Sequence, residues 1–428
     1  MMINKKTFPV RAFLVVLLLL DLHCLYLFKY SGIIEKYLGG NNKYWVLGAV
    51  SILLLIFYRG LSYTKNPMHK STFLNAFMPV IIACALIMLI NASISYPLQS
   101  INDTLRICGH LFWYAQAFLY YYLFTKDGSE NKVIKIFNII CTVWYIILIL
   151  QYISGNSTGR FLFDFASIYP HKVLYRNGSI RANMFSLPNL MIIYNFYQLY
   201  SEKKLLNKRA VTAAVRFLLG IFCLLFVQQT RGYTLAVFAA LAVITLFLNE
   251  NSNKKLRSAI IIALVVVYAA STGVVTDFFS TFNESSDMGG STTYRLLAIE
   301  YYWHKFLENP IFGGVGFAAE EFYYGLVHSA SGRCYIDDVG IFGSLAMYGL
   351  LIIVLYFIPL VRIIMITFRL RTTNHNQFVL LLSIVAFMLL TTGSLIMINK
   401  ERMFTLPLIM ALAEYFETQR VQKLQSIQ

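Results

Sequence analysis

The residues of this chain that could do chemistry gather in a few hydrophilic stretches. The largest, from about Asp277 to Asp338, carries Arg295, Glu300, His304 and His328 and ends on Asp337-Asp338. His328 stands in Val327-His-Ser-Ala-Ser331. An imidazole titrating near neutrality can take a proton from a sugar hydroxyl, and Asp337 or Asp338 could orient it, although a solvated loop histidine is the plainer alternative. His304 faces a different side of its helix and is a weaker candidate. Arg231 lies in Gln228-Gln-Thr-Arg-Gly232 with almost no loop around it. It reads either as an arginine snorkelling to an interface or as a planar fork for an anionic headgroup, most naturally a diphosphate. Arg295 opens a helix, where a positive charge opposes the dipole unless an anion lies near. Arg176 and Arg181 flank Asn177-Gly-Ser-Ile180, ahead of Pro188-Asn189, a pair that signals a kink. Gly313, Gly314 and Gly316 form either an ordinary turn or a cradle of amides for phosphate. Asp21 and His23 in the first apolar run suggest interfacial or interhelical contacts, with a proton relay as the alternative.

The elements that must position these groups are membrane helices. Of 428 residues, 58% are apolar and 13% charged, more than one soluble core could hide. Spans are expected near Phe13–Phe28, Tyr44–Tyr58, Phe73–Ile94, Ile107–Phe124, Val133–Ile153, Met184–Tyr200, Val211–Val227, Tyr233–Leu248, Ala259–Val275, Val339–Val361 and Phe378–Met397. A short Met403–Tyr415, either a span or a re-entrant piece, completes about 12. The first run is expected to stay as an anchor, since no small-residue cleavage site follows it. The net charge of +16 falls in short clusters between spans and forms no continuous basic face, so nucleic acid is not an expected partner. Lys and Arg in alternate loops place both termini in the cytoplasm and Asp277–Asp338 outside. The fold expected is all-α and polytopic, a single membrane domain over residues 1–428 with the outer loop 277–338 inside it. Within that loop Thr293–Leu307 reads as a helix stopped by Asn309-Pro310, lying on the membrane surface or over the bundle. Five of the six cysteines fall in apolar runs, while Cys334 stands alone in the outer loop. No nucleotide-binding glycine loop, HExxH or CxxC pair is credibly placed, so ATP-driven transport and zinc chemistry are unsupported, and neither cofactor nor metal is expected.

Taken in order, several stretches resemble the O-antigen polymerase/ligase superfamily, the Wzy-like and WaaL-like enzymes of bacterial envelopes. They are Arg176-Asn-Gly-Ser-Ile-Arg181 with Pro188-Asn189, Thr230-Arg-Gly232, Tyr294-Arg-Leu-Leu297 with Asn309-Pro-Ile-Phe-Gly-Gly-Val-Gly316, and His328-Ser329 leading to Gly340-Ile-Phe-Gly343. The resemblance implies a GT-C-like helical fold in the bacterial inner membrane. It also implies metal-independent, inverting glycosyl transfer on the periplasmic face, with undecaprenyl diphosphate leaving. Carried over, Arg231 and Arg295 become the diphosphate clamp, Arg181 and Arg176 further donor-binding residues, and His328 the base. In the ligase pattern the glycine pair follows the His-Ser with one residue fewer. Asp337-Asp338 before Gly340 and Tyr348-Gly349 after it look more like polymerases, and leave Asp338 as an alternative base. The expected activity is therefore polymerisation of undecaprenyl-diphosphate-linked oligosaccharide repeat units into O-antigen or a related surface polysaccharide, alongside a chain-length regulator and a flippase as partners. The alternatives are a ligase that moves finished glycan onto lipid A-core, and a flippase or transporter of lipid-linked oligosaccharide.

Overall fold

In a computed structural model, residues 7–27, 32, 37–38, 42–62, 71–159, 162, 173–176, 179–202, 207–248 and 289–426 are described. The expected span Ala259–Val275 and the first part of the outer loop lie outside them. Uninterrupted apolar sequence forms helices because every backbone polar group can then bond within its own segment. Five are long and apolar enough to cross a membrane: Thr72–Ser95, Asn131–Thr158, Lys208–Gln228, Ile353–Leu370 and His375–Thr392. Asn42–Phe57 and Arg231–Phe247 are shorter apolar helices. Start and stop signals are local. Ser71 Oγ accepts from Leu74 N to begin Thr72–Ser95, and Gly159, left-handed at φ +66°, ends Asn131–Thr158.

In chain order the described helices are α1 (Phe8–Asp21), α2 (Asn42–Ser62), α3 (Thr72–Ser95), α4 (Ile101–Cys108), α5 (Gln116–Asp127), α6 (Asn131–Thr158), α7 (Ser186–Ser201) and α8 (Lys208–Phe222). After them come α9 (Arg231–Phe247), α10 (Gly289–Glu308), α11 (Glu320–His328), α12 (Gly340–Tyr348), α13 (Ile358–Leu370), α14 (His375–Thr392) and α15 (Thr405–Gln425). Large apolar side chains such as Leu53, Ile56, Ile90, Ile94, Leu218 and Leu246 point out of the bundle, as lipid contact requires.

Four expectations are adjusted. Ile107–Phe124 is not one regular helix: a 3₁₀ stretch, Gly109–Ala115, separates α4 from α5. A Cβ on Gly109 would lie 2.5 Å from Trp45 Cα, so only glycine admits this close approach to α2. Val339–Val361 is likewise broken, with Gly349 at φ +56° between α12 and a π-helical turn, Ile353–Phe357, that runs into α13. The connection before α7 holds an antiparallel hairpin of β1 (Val173–Arg176) and β2 (Ser179–Ala182), Arg176 opposite Ser179. The two residues joining them are Asn177-Gly178, a pair that two-residue hairpins favour. The weak Met403–Tyr415 signal becomes α15, whose first thirteen residues are buried.

Contacts between helix ends and loops fall into two groups. In one, Arg11 pairs with Asp127, Ser71 Oγ donates to Glu414 (2.8 Å), Arg362 pairs with Glu414 (2.7 Å), and Phe247 O lies 2.8 Å from His375 Nε2. In the other, Tyr96 Oη donates to Val315 O (2.8 Å) and Gln99 Nε2 to Phe317 O (2.9 Å), tying the outer loop onto α3 and α4. Burial, with the neighbouring Tyr323 phenol adding to it, pushes the Tyr96 hydroxyl up to about 12, so it remains a donor at any physiological pH.

The glycine cluster serves this packing and not anion binding. Gly313 N donates to Asn309 O, Gly314 N to Lys305 O, and Val315 N and Gly316 N both to Ala346 O. Those amides are spent on backbone, and a Cβ on Gly313 would lie 2.2 Å from Ala346 O. Gly340 is equally constrained: at φ +49°, a Cβ there would meet Gly393 C and O at 2.5 Å. Gly340→Ala is expected to cost roughly 2–4 kcal/mol and lower the thermal midpoint in detergent. Gly325→Ala, with nothing within 4 Å of its Cβ, should leave the midpoint unchanged or raise it slightly.

Candidate functional site

The first turn of α9 is the centre of the site. α8 continues into a π-helical turn, Cys223–Gln228; Gln229 is left-handed at φ +48°, and Thr230, extended, is the N-cap of α9. The chain thus reverses within two residues and delivers Arg231 at the positive end of a helix dipole. Four amide donors of that turn have no intrahelical partner. The hairpin adds a second guanidinium. Arg181 Nε donates to Gln228 O (3.0 Å) and its Nη2 to Thr230 Oγ1 (3.1 Å), while Gln229 Nε2 donates to Ser179 Oγ (2.8 Å).

A third arginine, which the sequence analysis did not single out, closes the other side. Arg402 is 9% exposed and sits in the connection between α14 and α15. Its Nη1 donates to Asp337 O (3.3 Å), and its carbonyl accepts from Ser186 Oγ (3.1 Å). Asn399 Nδ2 donates to Asp337 Oδ1. Burial works against the Arg402 charge, yet Tyr233, Asp337, Glu401 and Asp338 around it more than compensate and hold its pKa above the ordinary value. Tyr233 lies two residues after Arg231, so this contact joins the outer loop to α9. Asp21, buried at the end of α1, interacts electrostatically with Lys43 and Glu401 on the same side. The available signal was Lys400-Glu401-Arg402, a charged triplet between apolar neighbours.

Strained backbone surrounds this cluster. The non-glycine residues with positive φ among those described are His23, Cys24, Leu25, Phe185, Gln229 and Ser329. The His23 ring packs on Phe185 at 5.2 Å, Phe185 precedes the Ser186 that holds Arg402, and Gln229 forms the α8–α9 reversal. Each such residue costs about 1–3 kcal/mol and persists where surrounding structure over-determines it, a pattern concentrated at functional sites.

His328 ends α11 and is 6% exposed, its ring between Tyr324 (4.7 Å) and Tyr335 (5.2 Å). Nδ1 lies 2.9 Å from Cys334 O, which can only accept, so Nδ1 carries a hydrogen and Nε2 is the ring nitrogen left to face the site. Cys334 N returns a bond to His328 O (3.1 Å), closing the 328–334 turn. Cys334 is buried there, its backbone making both bonds. Nε2 is 2.9 Å from Glu320 Oε1, within ion-pair distance but off the line of a good hydrogen bond. Glu320, 62% exposed at its side chain, was not singled out from the sequence, because a kink at Tyr323 brings the two ends of α11 together. Tyr302 links this wall to the arginine cluster: its hydroxyl donates to Val327 O (2.6 Å), and Asp337 and Asp338 lie in its electrostatic surroundings.

Asp338 is exposed; its backbone N donates to Tyr335 O (3.2 Å), and its carboxylate lies in the electrostatic surroundings of Arg402 and Tyr302. Arg295 is exposed on α10, one turn before Ala298 and two before Tyr302 on the same face, and no described contact joins it to Arg231. Its neighbour Tyr294 accepts from Arg333 Nη1 (2.6 Å). Arg176 lies in β1, with its side chain outside the described residues. His304 is exposed on α10. Among the described residues no group of three or more His, Cys, Asp or Glu side chains is placed to hold a metal ion.

The family model for O-antigen ligase matches residues 217–334, from within α8 to Cys334. The match contains Gln228, Arg231, Arg295 and His328 and agrees with the O-antigen polymerase/ligase superfamily that the sequence resembles. No curated protein matches the chain.

Proposed function

We propose, from the O-antigen ligase family match over residues 217–334, that this protein is a membrane glycosyltransferase using a glycan linked to undecaprenyl diphosphate. It joins such repeat units into O-antigen or a related surface polysaccharide, on the periplasmic side of the bacterial inner membrane, with both termini cytoplasmic. The observation that carries the reading is the convergence of Arg181, Arg231 and Arg402 on the first turn of α9. Guanidinium groups placed at the positive end of a helix offer charge-assisted donors to an anion of high charge. A diphosphate is such an anion.

The chemistry follows from the two walls. A hydroxyl of the acceptor sugar attacks C1 of the donor sugar, and the C1–O bond to diphosphate breaks with its electron pair going to the leaving oxygen. Charge on the diphosphate rises as that bond breaks, so the arginine contacts strengthen toward the transition state. Attack from the face opposite the leaving group inverts the anomeric centre. The hydroxyl proton passes to His328 Nε2 as Glu320 gives way, and Glu320 then faces the imidazolium. Glu320→Gln should lower turnover by less than about tenfold, because so exposed a carboxylate is screened by solvent. A second reading gives the base role to Asp338, whose carboxylate is exposed. Asp338→Asn with turnover retained, alongside a collapsed His328→Ala, supports His328; the reverse supports Asp338.

The test of the function is the lipopolysaccharide ladder of a strain lacking the protein, complemented with wild type or the site variants at verified expression. Core bearing a single repeat in the deletion strain, with a ladder restored by wild type, supports polymerase action. Bare core sinks it in favour of ligation or of an export step such as a flippase.

A further inference from the structure

Gln228 presents an unmet hydrogen-bonding group beside the arginines. It is fully buried, at 0% exposure, and neither Oε1 nor Nε2 has a partner among the described residues. An amide left so costs about 1–3 kcal/mol, and an isosteric apolar side chain would avoid that cost. The position is also structurally unusual. Gln228 closes the π-helical turn, the kind of irregularity that recurs at functional sites, and the strained Gln229 follows it. Its carbonyl is the acceptor for both Arg181 Nε (3.0 Å) and Thr230 Oγ1 (3.2 Å), so the residue adjoins the cation cluster directly.

We propose that the Gln228 amide binds a polar substituent, hydroxyl or acetamido, on the donor sugar next to the diphosphate, and so selects that sugar. This rests on the donor reading above. The chemistry of the amide decides between the sugar and the phosphates. Diphosphate oxygens only accept, so they would satisfy Nε2 while setting Oε1 against negative charge. A hydroxyl or an acetamido group both donates and accepts, and matches both ends of a primary amide. Arg181 and Arg231 hold the anion, and the adjoining amide reads a substituent on the sugar ring attached to it. Sites with buried polar groups of this kind reject analogues that lack the partner, because the group is then left unpaired.

The experiment compares binding of two probes to the full-length protein in detergent: a polyprenyl diphosphate carrying one N-acetylated hexose, and the same polyprenyl diphosphate without sugar. Wild type should prefer the sugar-bearing probe about tenfold or more. Gln228→Leu should erase most of that preference, leave the affinity for the bare diphosphate within about twofold, and keep or raise the thermal midpoint. Gln228→Met, of similar length and flexibility, should behave alike and provides a second reading should the leucine variant fold poorly. Arg231→Ala should weaken both probes equally. Loss of bare-diphosphate affinity in the Gln228 variants, or an unchanged preference for the sugar, overturns the proposal. Unchanged binding of both probes to Arg231→Ala overturns the donor reading instead.

Discussion

His328→Ala is expected to lower glycosyl transfer by 10²–10⁴-fold while leaving binding of a lipid-diphosphate donor within about threefold. The split follows from the geometry. Cys334 O holds a hydrogen on Nδ1, Glu320 faces the nitrogen that would receive the proton, and neither lies among the arginines that hold the anion. Donor binding and turnover should therefore be measured on one preparation. The same substitution also removes the side-chain bond to Cys334 O across the 328–334 turn, so it carries a structural effect. His328→Asn separates the two, because its side-chain amide can still donate toward Cys334 O but cannot act as a base. Turnover as low in His328→Asn as in His328→Ala, with unchanged thermal midpoint, identifies proton transfer as what was lost. Recovery to near wild-type turnover in His328→Asn would assign the residue to holding the turn and move the base role to Asp338.

Arg231→Ala carries the second large effect, roughly 10²–10³-fold in kcat/KM. Removing one preorganised donor from a site of developing negative charge typically costs that much. In the proposed clamp the guanidinium would bind diphosphate in both ground and transition states, so KM should rise as well as kcat fall. Arg231→Lys keeps the charge but loses the planar fork, and should recover only part of the activity. An effect confined to kcat, with donor binding intact, would remove Arg231 from the clamp. Arg402→Lys is the informative companion. Arg402 lies against Asp337 and Tyr233, so its replacement should disturb the fit of the outer loop on α9 and give a lower thermal midpoint together with lost turnover.

The expected family drew on motifs legible in the chain, and residues 217–334 match its ligase model. The helices were legible for a simple reason. A long apolar run has few ways to satisfy its backbone other than as a helix, so Thr72–Ser95 and Asn131–Thr158 appear close to where composition placed them. Arg181 and Arg231 were legible as cations in the connections between apolar runs, Arg231 in a minimal one where charge has little structural reason to be. The breaks at Gly109 and Gly349 were less so, since an apolar run containing one glycine reads as a continuous span until its neighbour is known. Close approach of Trp45 to Gly109, and of Ile311 O to Gly349, is a property of two segments at once.

What the sequence determined by itself is a helical membrane protein with cations and histidines concentrated in its connections, because hydropathy and charge act locally along the chain. What only the tertiary structure decided is which of those groups meet. Arg402 is distant in sequence from Arg181 and Arg231, and no spacing rule links them. They converge because the connection after α14, the hairpin and the start of α9 lie at the same end of the bundle. Arg295 shares the charge and the motif but lies on an exposed turn of α10, with no described contact to that cluster. The amides of Gly313, Gly314 and Gly316 look available in sequence and are taken up by neighbouring carbonyls in the fold. Buried hydrogen-bonding groups must find partners wherever packing places them. For that reason the unmet amide of Gln228 could be recognised only after every neighbour had been placed.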